Sequence, residues 1–452
     1  MPQLRYFLKG ALILIPLSII IGSVCAFFLW SLEALTLLRW EQPWLLYFLP
    51  LGGWLVGLLY QHYGQSVVAG NNLIVEQIHQ PGGGIPKRMA PLVLMGTLIT
   101  HLCGGSAGRE GTAVQMGGSI ASAMASPFKL EGRALQTFLM AGVAAGFGAV
   151  FGTPVAGAVF AIEVVAIGQL NYKNLLPCLM AAFVGNGACA WWGIHHTSYA
   201  IHSTAPTFQA DPFFGAKVIL AAMAFGWASR LFSELAHGVQ RGFAWLIPVA
   251  SLRPVLGGVV VIGLVATLGT QDYLGLGVTA PQPDGISIVQ ALSGQWVDPW
   301  GWWWKLLFTA VTIGSGFKGG EVTPLFFMGA ALGNALGWFL GAPPDLLAAL
   351  GLVAIFAGAA NTPIACTLLG MELFGAENAG YFALACLIAY LFSGHTGIYL
   401  SQILIRSKLG GPNLPQHTTL RMARQHQNSR WKTQWASRWG RIQALLTRRI
   451  KP

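Results

Sequence analysis

The feature that most constrains this chain is a pair of charged residues in a glycine-rich break between apolar runs. Arg109 and Glu110 lie within the segment Gly108–Thr112. Hydrocarbon tolerates neither a free carboxylate nor unpaired backbone N–H groups. Glycines let the backbone approach an ion closely, and exposed N–H groups can hold an anion. The segment therefore predicts an anion path in which Glu110, a tethered anion that can take a proton, competes with a free anion for one site.

Composition places the chain in a membrane. Of its 452 residues, 54% are hydrophobic and only 9% are charged, whereas a typical soluble domain has about 25% charged residues. Long apolar runs such as Ala11–Trp30 are interrupted by many of the 58 glycines and 24 prolines. Several runs are too short to cross a bilayer, so broken and re-entrant helices are expected. We predict an all-α polytopic membrane protein in which Ala11–Trp30 is a retained helix, the alternative being a cleaved signal peptide.

Positive charge is concentrated at the end of the chain. The segment after Gly410 is rich in Lys and Arg and contains no Asp or Glu. This excess predicts a cytoplasmic C-terminus, and Arg5 and Lys9 predict a cytoplasmic N-terminus. Tryptophans recur every four residues across Trp431–Trp439, so the tail is either an amphipathic helix on anionic lipid or a solvated segment. We expect an integral multi-pass protein of a bacterial inner membrane.

Two pairs of matching segments indicate an internal repeat. The Thr-Pro segment Thr153–Glu163 matches Thr362–Glu372, about 210 residues later. Gly108–Thr112 matches Gly319–Thr323 at nearly the same offset, and this register sets Glu110 opposite Glu321. Transporters built from repeats usually bind their substrate between the halves, near the bilayer midplane. The expected units are a first repeat, a second repeat and a basic cytoplasmic tail, at residues 1–205, 206–410 and 411–452.

In this order, the glycine-rich segments resemble those of the CLC family of chloride channels and anion/proton antiporters. The resemblance covers about residues 10–408 and rests on Gly82–Pro86 (GSGIP in the family), Gly108–Gly111 (GREGP), Gly320–Pro324 (GxFxP) and Tyr399, at the position of the anion-coordinating tyrosine. It implies a CLC-like fold of two inverted repeats with broken and re-entrant helices. It also implies a homodimer in which each subunit has its own anion pathway.

The resemblance implies roles for some residues, and the cost of charge at membrane depth indicates roles for others. Glu110 is the expected external gate and proton-transfer group, and Glu321 is a candidate for proton coupling because a second intramembrane carboxylate is costly unless used. Arg109 either neutralises Glu110 or stabilises the loop, or else binds the anion directly. Tyr399 either binds the anion or is an ordinary interface or core tyrosine. The expected anion-binding residues are Gly83, Gly84, Ile85, Arg109, Glu110, Gly111, Val322, Thr323 and Tyr399.

Departures from the family pattern narrow the subclass. The central-site serine is replaced by Gly83, and the antiporters' internal proton glutamate by Val164. The motifs read GREGT and GEVTP, a combination similar to the fluoride-exporting branch of the family. Thr112 and Thr323 could help to replace the tightly held water of fluoride, whereas the missing hydroxyl at Gly83 argues against fluoride.

We therefore expect a CLC-type anion transporter, an anion/proton antiporter that favours fluoride. A passive chloride channel is the alternative within the family, since Val164 replaces the internal glutamate. A non-transporting membrane scaffold subunit is the alternative from another class, although it has no need of loop carboxylates. The expected partners are protons, halide anions (fluoride or chloride), membrane lipid and a second copy of the chain. No nucleophile–base set or ligand spacing predicts an enzyme, a cofactor or a metal, and no nucleic acid is expected. Glu163 and Glu372 are expected to be structural, or else to face cytoplasmic water.

Overall fold

A computed structural model describes residues 2–207, 209–408 and 418–425, with side chains from residue 12 onward. Within these residues the protein is almost entirely helical. Helices long and apolar enough to cross a membrane are Leu12–Glu41, Pro43–Tyr63, Gly132–Phe151, Tyr172–Trp191, Phe214–Leu246, Ala250–Leu268 and Val322–Leu340. Shorter apolar helices lie between and after them, as expected for broken helices. The predicted tryptophan-rich helix at Trp431–Trp439 falls outside the described residues.

Sixteen α-helices are described. The first eight are α1 (Pro2–Glu41), α2 (Leu49–Tyr63), α3 (Asn71–His79), α4 (Met89–Leu102), α5 (Glu110–Ala125), α6 (Gly132–Phe151), α7 (Pro154–Glu163) and α8 (Leu175–Trp191). The next eight are α9 (Phe214–Leu246), α10 (Arg253–Leu268), α11 (Ile288–Leu292), α12 (Gly301–Ser315), α13 (Val322–Leu340), α14 (Pro344–Ala360), α15 (Pro363–Phe374) and α16 (Ala379–Phe392). Two short parallel strands, β1 (Ala166–Ile167) and β2 (Ile403–Leu404), pair with each other and join the two halves. Short 3₁₀ helices cover Pro43–Phe48, Gln65–Val67, Tyr172–Asn174 and Ala250–Leu252.

The two sets of eight helices match in order and in length. Helices α1–α8 have 40, 15, 9, 14, 16, 20, 10 and 17 residues. Helices α9–α16 have 33, 16, 5, 15, 19, 17, 12 and 14 residues. Each half therefore begins with its longest helix and places a very short helix third. The predicted boundary at residue 205 falls in the connection between α8 and α9, and the exact unit boundaries stay a prediction.

The two Thr-Pro helices cap each other. The carboxylate of Glu163, at the end of α7, accepts backbone N–H groups of the first turn of α15 at 2.7 and 3.1 Å. The carboxylate of Glu372, near the end of α15, accepts N–H groups of the first turn of α7 at 2.8 and 3.0 Å. Because the end of each helix meets the start of the other, the matched helices run in opposite directions. Both glutamates satisfy N–H groups that a helix start leaves unpaired, which is the structural role expected of them.

Glycine lets the helices of each half pack closely. A Cβ added to Gly329 of α13 would lie 2.1 Å from the carbonyl oxygen of Gly351 on α14. In the first half, a Cβ on Gly117 of α5 would lie 2.2 Å from the carbonyl oxygen of Gly142 on α6. Without a hydrophobic force between helices in lipid, such close backbone contact is a main source of association. The α5–α6 and α13–α14 pairs therefore hold the starts of α5 and α13 in fixed positions.

Candidate functional site

The starts of α5 and α13 meet at the middle of the molecule. Gly108 and Gly320, each two residues before its helix, form an antiparallel bridge in which each N–H donates to the other carbonyl oxygen at 2.6 Å. The bridge aligns two helix N-termini, whose partial positive charge and unpaired N–H groups favour an anion. The two glycine-rich breaks found in the sequence thus form one site.

A third helix begins at the same place. Helix α3 starts at Asn71 after Gly70, which has a φ of +57°. A Cβ added to Gly111 would lie 3.0 Å from Asn71 Nδ2 and 3.1 Å from the Cα of Gly320, so these three residues are in close contact. The Oδ1 atom of Asn71 is buried without a hydrogen-bond partner. Three helix N-termini and one side-chain amide therefore converge on a small region.

The carboxylate of Glu110 occupies the start of α13. Its Oε2 atom accepts the backbone N–H of Thr323 at 3.1 Å, and the Thr323 hydroxyl lies 2.7 Å from both carboxylate oxygens. The Arg109 backbone N–H donates to the same Oε2 at 3.1 Å. Only 1% of Glu110 is exposed. A buried carboxylate thus takes the donors that a free anion at this helix start would use.

Arg109 lies beside this carboxylate. Its Nε atom is 3.6 Å from Glu110 Oε1 and forms no hydrogen bond. The guanidinium is therefore placed to offset the charge of Glu110. A direct contact between Arg109 and a transported anion stays a prediction.

Tyr399 and Glu321 line a cavity of about 370 Å³, together with Asn71 and Gln115. Tyr399 is only 3% exposed, and its ring packs edge-on against Phe160 at 6.4 Å between centroids. Among the described residues, Glu321 forms no ion pair. The cavity therefore presents a phenol, two amides and a carboxylate next to the region where the helix N-termini meet.

The prediction that Gly83, Gly84 and Ile85 bind the anion is wrong in this structure. Gly83 is exposed, and the Ile85 N–H donates to the Ser122 hydroxyl at 2.8 Å. Ser122 lies twelve residues after Glu110 on α5, or about 18 Å along the helix axis at 1.5 Å per residue. The Gly82–Pro86 loop is therefore at the far end of α5, and its N–H at residue 85 is already satisfied.

Asn71 is the residue that sequence reasoning missed. A signal was present, because Gly70-Asn71-Asn72 breaks the chain just before the short apolar-faced run of α3. That break has one glycine, whereas the Gly82–Pro86 loop has three and resembles a known motif. Sequence alone therefore favours the Gly82–Pro86 loop, whereas the tertiary structure shows that the break at Gly70 faces the centre.

The structure also shifts the register between the repeats by one residue. The bridge pairs Gly108 with Gly320, and α5 and α13 begin two residues later, at Glu110 and Val322. Glu110 therefore matches Val322, and the expected match of Glu110 with Glu321 is wrong. Glu321 stands immediately before α13 and faces the cavity rather than mirroring Glu110.

The two threonines of the motifs have different surroundings. The Thr323 hydroxyl contacts Glu110, as described above, whereas the Thr112 hydroxyl lies 2.7 Å from the Thr97 hydroxyl. Thr97 in turn donates to the Val93 carbonyl oxygen at 2.7 Å, so Thr112 is the donor to Thr97. Thr112 is thus used within the α4–α5 contact, and only Thr323 has its hydroxyl in the site.

A family model and several known proteins match most of this chain. A family model described as voltage gated chloride channel matches residues 52–394. The chain is 45% identical over 409 residues to the chloride/fluoride channel protein of Pseudomonas syringae pv. tomato, covering 89% of this chain and 88% of that relative. It is 27% identical over 372 residues to the voltage-gated ClC-type chloride channel ClcB of Escherichia coli, covering 78% of this chain and 84% of that one.

Solved structures share the fold. A CLC-type fluoride/proton antiporter superposes with a TM-score of 0.82 at 34% identity, over 88% of this chain and 98% of that chain. A slow cyanobacterial Cl⁻/H⁺ antiporter gives a TM-score of 0.71 at 18% identity, over 85% and 94% of the two chains. The second likeness shows the fold alone.

Proposed function

This chain belongs to the CLC family, and on that premise we propose that it exchanges fluoride for protons across the membrane. One observation carries the proposal: the carboxylate of Glu110 holds the N–H and hydroxyl donors of Thr323 at the start of α13. A group that holds an anion site and can accept a proton links the two ions, because protonation removes the charge that kept it there. The similarity to a structure described as a CLC-type fluoride/proton antiporter supports fluoride as the anion.

The exchange follows from competition for one set of donors. When Glu110 is ionised, it satisfies the Thr323 donors and closes the path. When Glu110 takes a proton, its attraction to the helix N-terminus falls, and a free anion can take its place. Asn71 and Tyr399 then offer an amide and a phenol to the incoming anion. Glu321, which lines the cavity, is the proposed proton carrier between that cavity and the site.

Fluoride suits these donors for a physical reason. It is small and strongly hydrated, so its water must be replaced by strong hydrogen-bond donors. The backbone N–H of Thr323, its hydroxyl and the Asn71 amide supply such donors in a water-poor region, where hydrogen bonds are stronger than in water. Thr112 does not contribute, because its hydroxyl binds Thr97.

The test is transport by the purified protein in liposomes. With fluoride inside and a pH dye, we expect fluoride efflux to drive proton uptake, and chloride efflux to be much slower. In Glu110→Gln, which cannot ionise, anion-driven proton movement should stop. Fast chloride efflux without fluoride transport would contradict the choice of anion. Anion efflux without proton movement in the wild type would instead indicate a passive channel.

We also propose a homodimer in a bacterial inner membrane, with both termini in the cytoplasm. Family membership supports the dimer, and the excess of Lys and Arg near the chain ends supports the orientation.

A single introduced cysteine tests the orientation. The six native cysteines are free and buried, so a reagent that cannot enter the protein should label only a cysteine introduced at exposed Gln65. An impermeant maleimide should modify Gln65→Cys only after the cells are opened. Modification in intact cells would reverse the orientation, and a monomeric mass in mild detergent would contradict the dimer.

A further inference from the structure

Lys318 lines the same cavity as Glu321 and Tyr399. Its side chain passes over Gly96 of α4, where an added Cβ would lie 2.9 Å from the Cβ and Cγ of the lysine. The ammonium then sits over the ring of Tyr60, 4.0 Å from the centroid. Gly96 therefore provides the space for the stem, and Tyr60 fixes the position of the charge through a cation–π contact.

The ammonium of Lys318 is free to bind an anion. Among the described residues, it forms no ion pair and no hydrogen bond. The cation–π contact uses the charge of the group without using an N–H in a hydrogen bond, so its donors remain available. A buried lysine with a structural role normally has oxygen partners, as Lys305 has in the carbonyl oxygens of Tyr273 and Gly275 at 3.1 and 2.8 Å.

The other basic groups that line this cavity, Arg253 and His237, are already engaged. The guanidinium of Arg253 donates to the carbonyl oxygens of Ile247 and Pro248 at 2.9 and 3.1 Å. The Nδ1 atom of His237 lies 2.6 Å from the Ser233 carbonyl oxygen and 3.0 Å from the guanidinium of Arg424. Glu321 is the one carboxylate in the lining, and it lies beyond ion-pair distance from Lys318.

The cavity connects the surface with the buried site. Gln61 and Gln65 are exposed residues of its lining, and Tyr399, at the other extreme, is buried. An anion that enters between the glutamines reaches Tyr399 through a volume lined by Lys318. Low-dielectric walls concentrate the field of a single charge in such a cleft and raise the local concentration of ions of opposite sign.

We propose that Lys318 is an anion-recruiting residue whose ammonium holds fluoride in the cavity before the ion moves to the site formed by Asn71, Thr323 and Tyr399. The inference rests on the proposed function and adds to it a waiting site on the cavity side. A lysine ammonium is a compact, strongly hydrated charge, and its several N–H donors suit a small anion that needs its water replaced. Lys318 acts on the anion and not on the proton, so it should change how fluoride enters and leave the coupling ratio unaltered.

The experiment compares Lys318→Gln with Lys87→Gln in liposomes. Lys87 is exposed and does not line the cavity, so it is a matched charge-loss control. Initial fluoride transport from the cavity side is measured against fluoride concentration and against ionic strength set with an impermeant salt. In the wild type and in Lys87→Gln, added salt should slow transport at low fluoride, because it screens the attraction. In Lys318→Gln we expect the KM for fluoride to rise about tenfold and the salt effect to disappear.

Two further readouts separate recruitment from a structural role. The proton-to-fluoride ratio and the rate at saturating fluoride should be retained in Lys318→Gln, and Lys318→Arg should restore most of the KM and the salt effect. A loss of the saturating rate without a change in KM would overturn the proposal, as would an unchanged KM.

The wild type alone also tests the inference. The inference can therefore be contradicted even if the Lys318 variants fail to fold. If wild-type transport at low fluoride is insensitive to salt, Lys318 does not recruit the anion. If the wild type moves chloride but not fluoride, the proposed function fails separately, and the same KM and salt measurements with chloride decide the role of Lys318.

Discussion

At the residue scale, the proposed exchange depends on Glu110 and a transported anion competing for the same donors. The Thr323 N–H and hydroxyl lie at 3.1 and 2.7 Å from the Glu110 carboxylate, and Asn71 and Tyr399 lie close by. The side chains that surround this carboxylate come from parts of the chain separated by up to about 330 positions. Their roles can be separated by single substitutions.

Asn71 and Gly83 provide the sharpest comparison. Asn71→Leu removes the side-chain amide at the helix starts, and a hydrogen bond to a charged group contributes about 1.5–3 kcal/mol. We therefore expect the KM for fluoride to rise by tenfold or more. Gly83→Ala should leave fluoride transport unchanged, since Gly83 is exposed and about 18 Å of helix separates its loop from Glu110. Initial rates in liposomes measure both variants, and the opposite ranking would return the anion site to the Gly82–Pro86 loop.

Substitutions of the two carboxylates Glu321 and Glu163 should have different effects. Glu321→Gln removes the one carboxylate of the cavity lining, so the ratio of protons to fluoride should fall. Glu163→Gln replaces one of the two carboxylate oxygens that cap α15 with an amide NH₂, which cannot accept an N–H. Its expected cost is about 1–3 kcal/mol of stability, with the coupling ratio kept. The ratio of protons to fluoride is measured in liposomes, and thermal stability is measured in detergent. If Glu163→Gln alone uncouples transport, Glu321 is not the proton carrier.

At the scale of elements, the site depends on how closely helices approach. Helix α13 carries Thr323 at its start and packs on α14 through Gly329, where a Cβ would lie 2.1 Å from the Gly351 carbonyl oxygen. The reciprocal caps between α7 and α15 similarly fix two helix starts, because glutamate carboxylates accept their backbone N–H groups. The positions of the helix starts are thus set by helix pairs together with the Gly108–Gly320 bridge between the loops before α5 and α13.

Gly329→Ala tests this dependence. The added methyl group meets backbone atoms that cannot rotate away, and overpacking of this kind costs about 1–3 kcal/mol or more. We expect a clear drop in melting temperature, because the methyl group pushes α13 away from α14. The transport rate should also fall, because this displacement moves Thr323 at the start of α13. Gly263→Ala on α10 is the control, since a Cβ there meets nothing within 4 Å and alanine favours a helix. Equal melting temperatures for the two variants would show that the close contact does not hold α13 in place.

At the scale of the whole molecule, the proposed exchange predicts a direction and a pH dependence. Inward movement of protons drives fluoride out, so fluoride extrusion should speed up as the external pH falls. Cells without their own fluoride exporter should then tolerate added fluoride when they express this protein, and more so at acidic external pH. Glu110→Gln should abolish the protection. Growth curves measure it, and protection that persists in Glu110→Gln, at equal expression, would contradict coupling through Glu110.

The sequence by itself determined the membrane class, the repeated Thr-Pro and glycine-rich motifs, the family and the position of Glu110 in a glycine-rich break. These follow from local properties: hydrophobic content, motif order and the cost of a carboxylate at membrane depth. Only the tertiary structure decided that Asn71, and not Gly83–Ile85, lies beside Gly111 at the start of α5, and that Glu321 and Lys318 share one cavity. The physical reason is that any glycine-rich break can expose N–H groups, whereas helix packing determines which break faces the centre and which has its donors satisfied elsewhere.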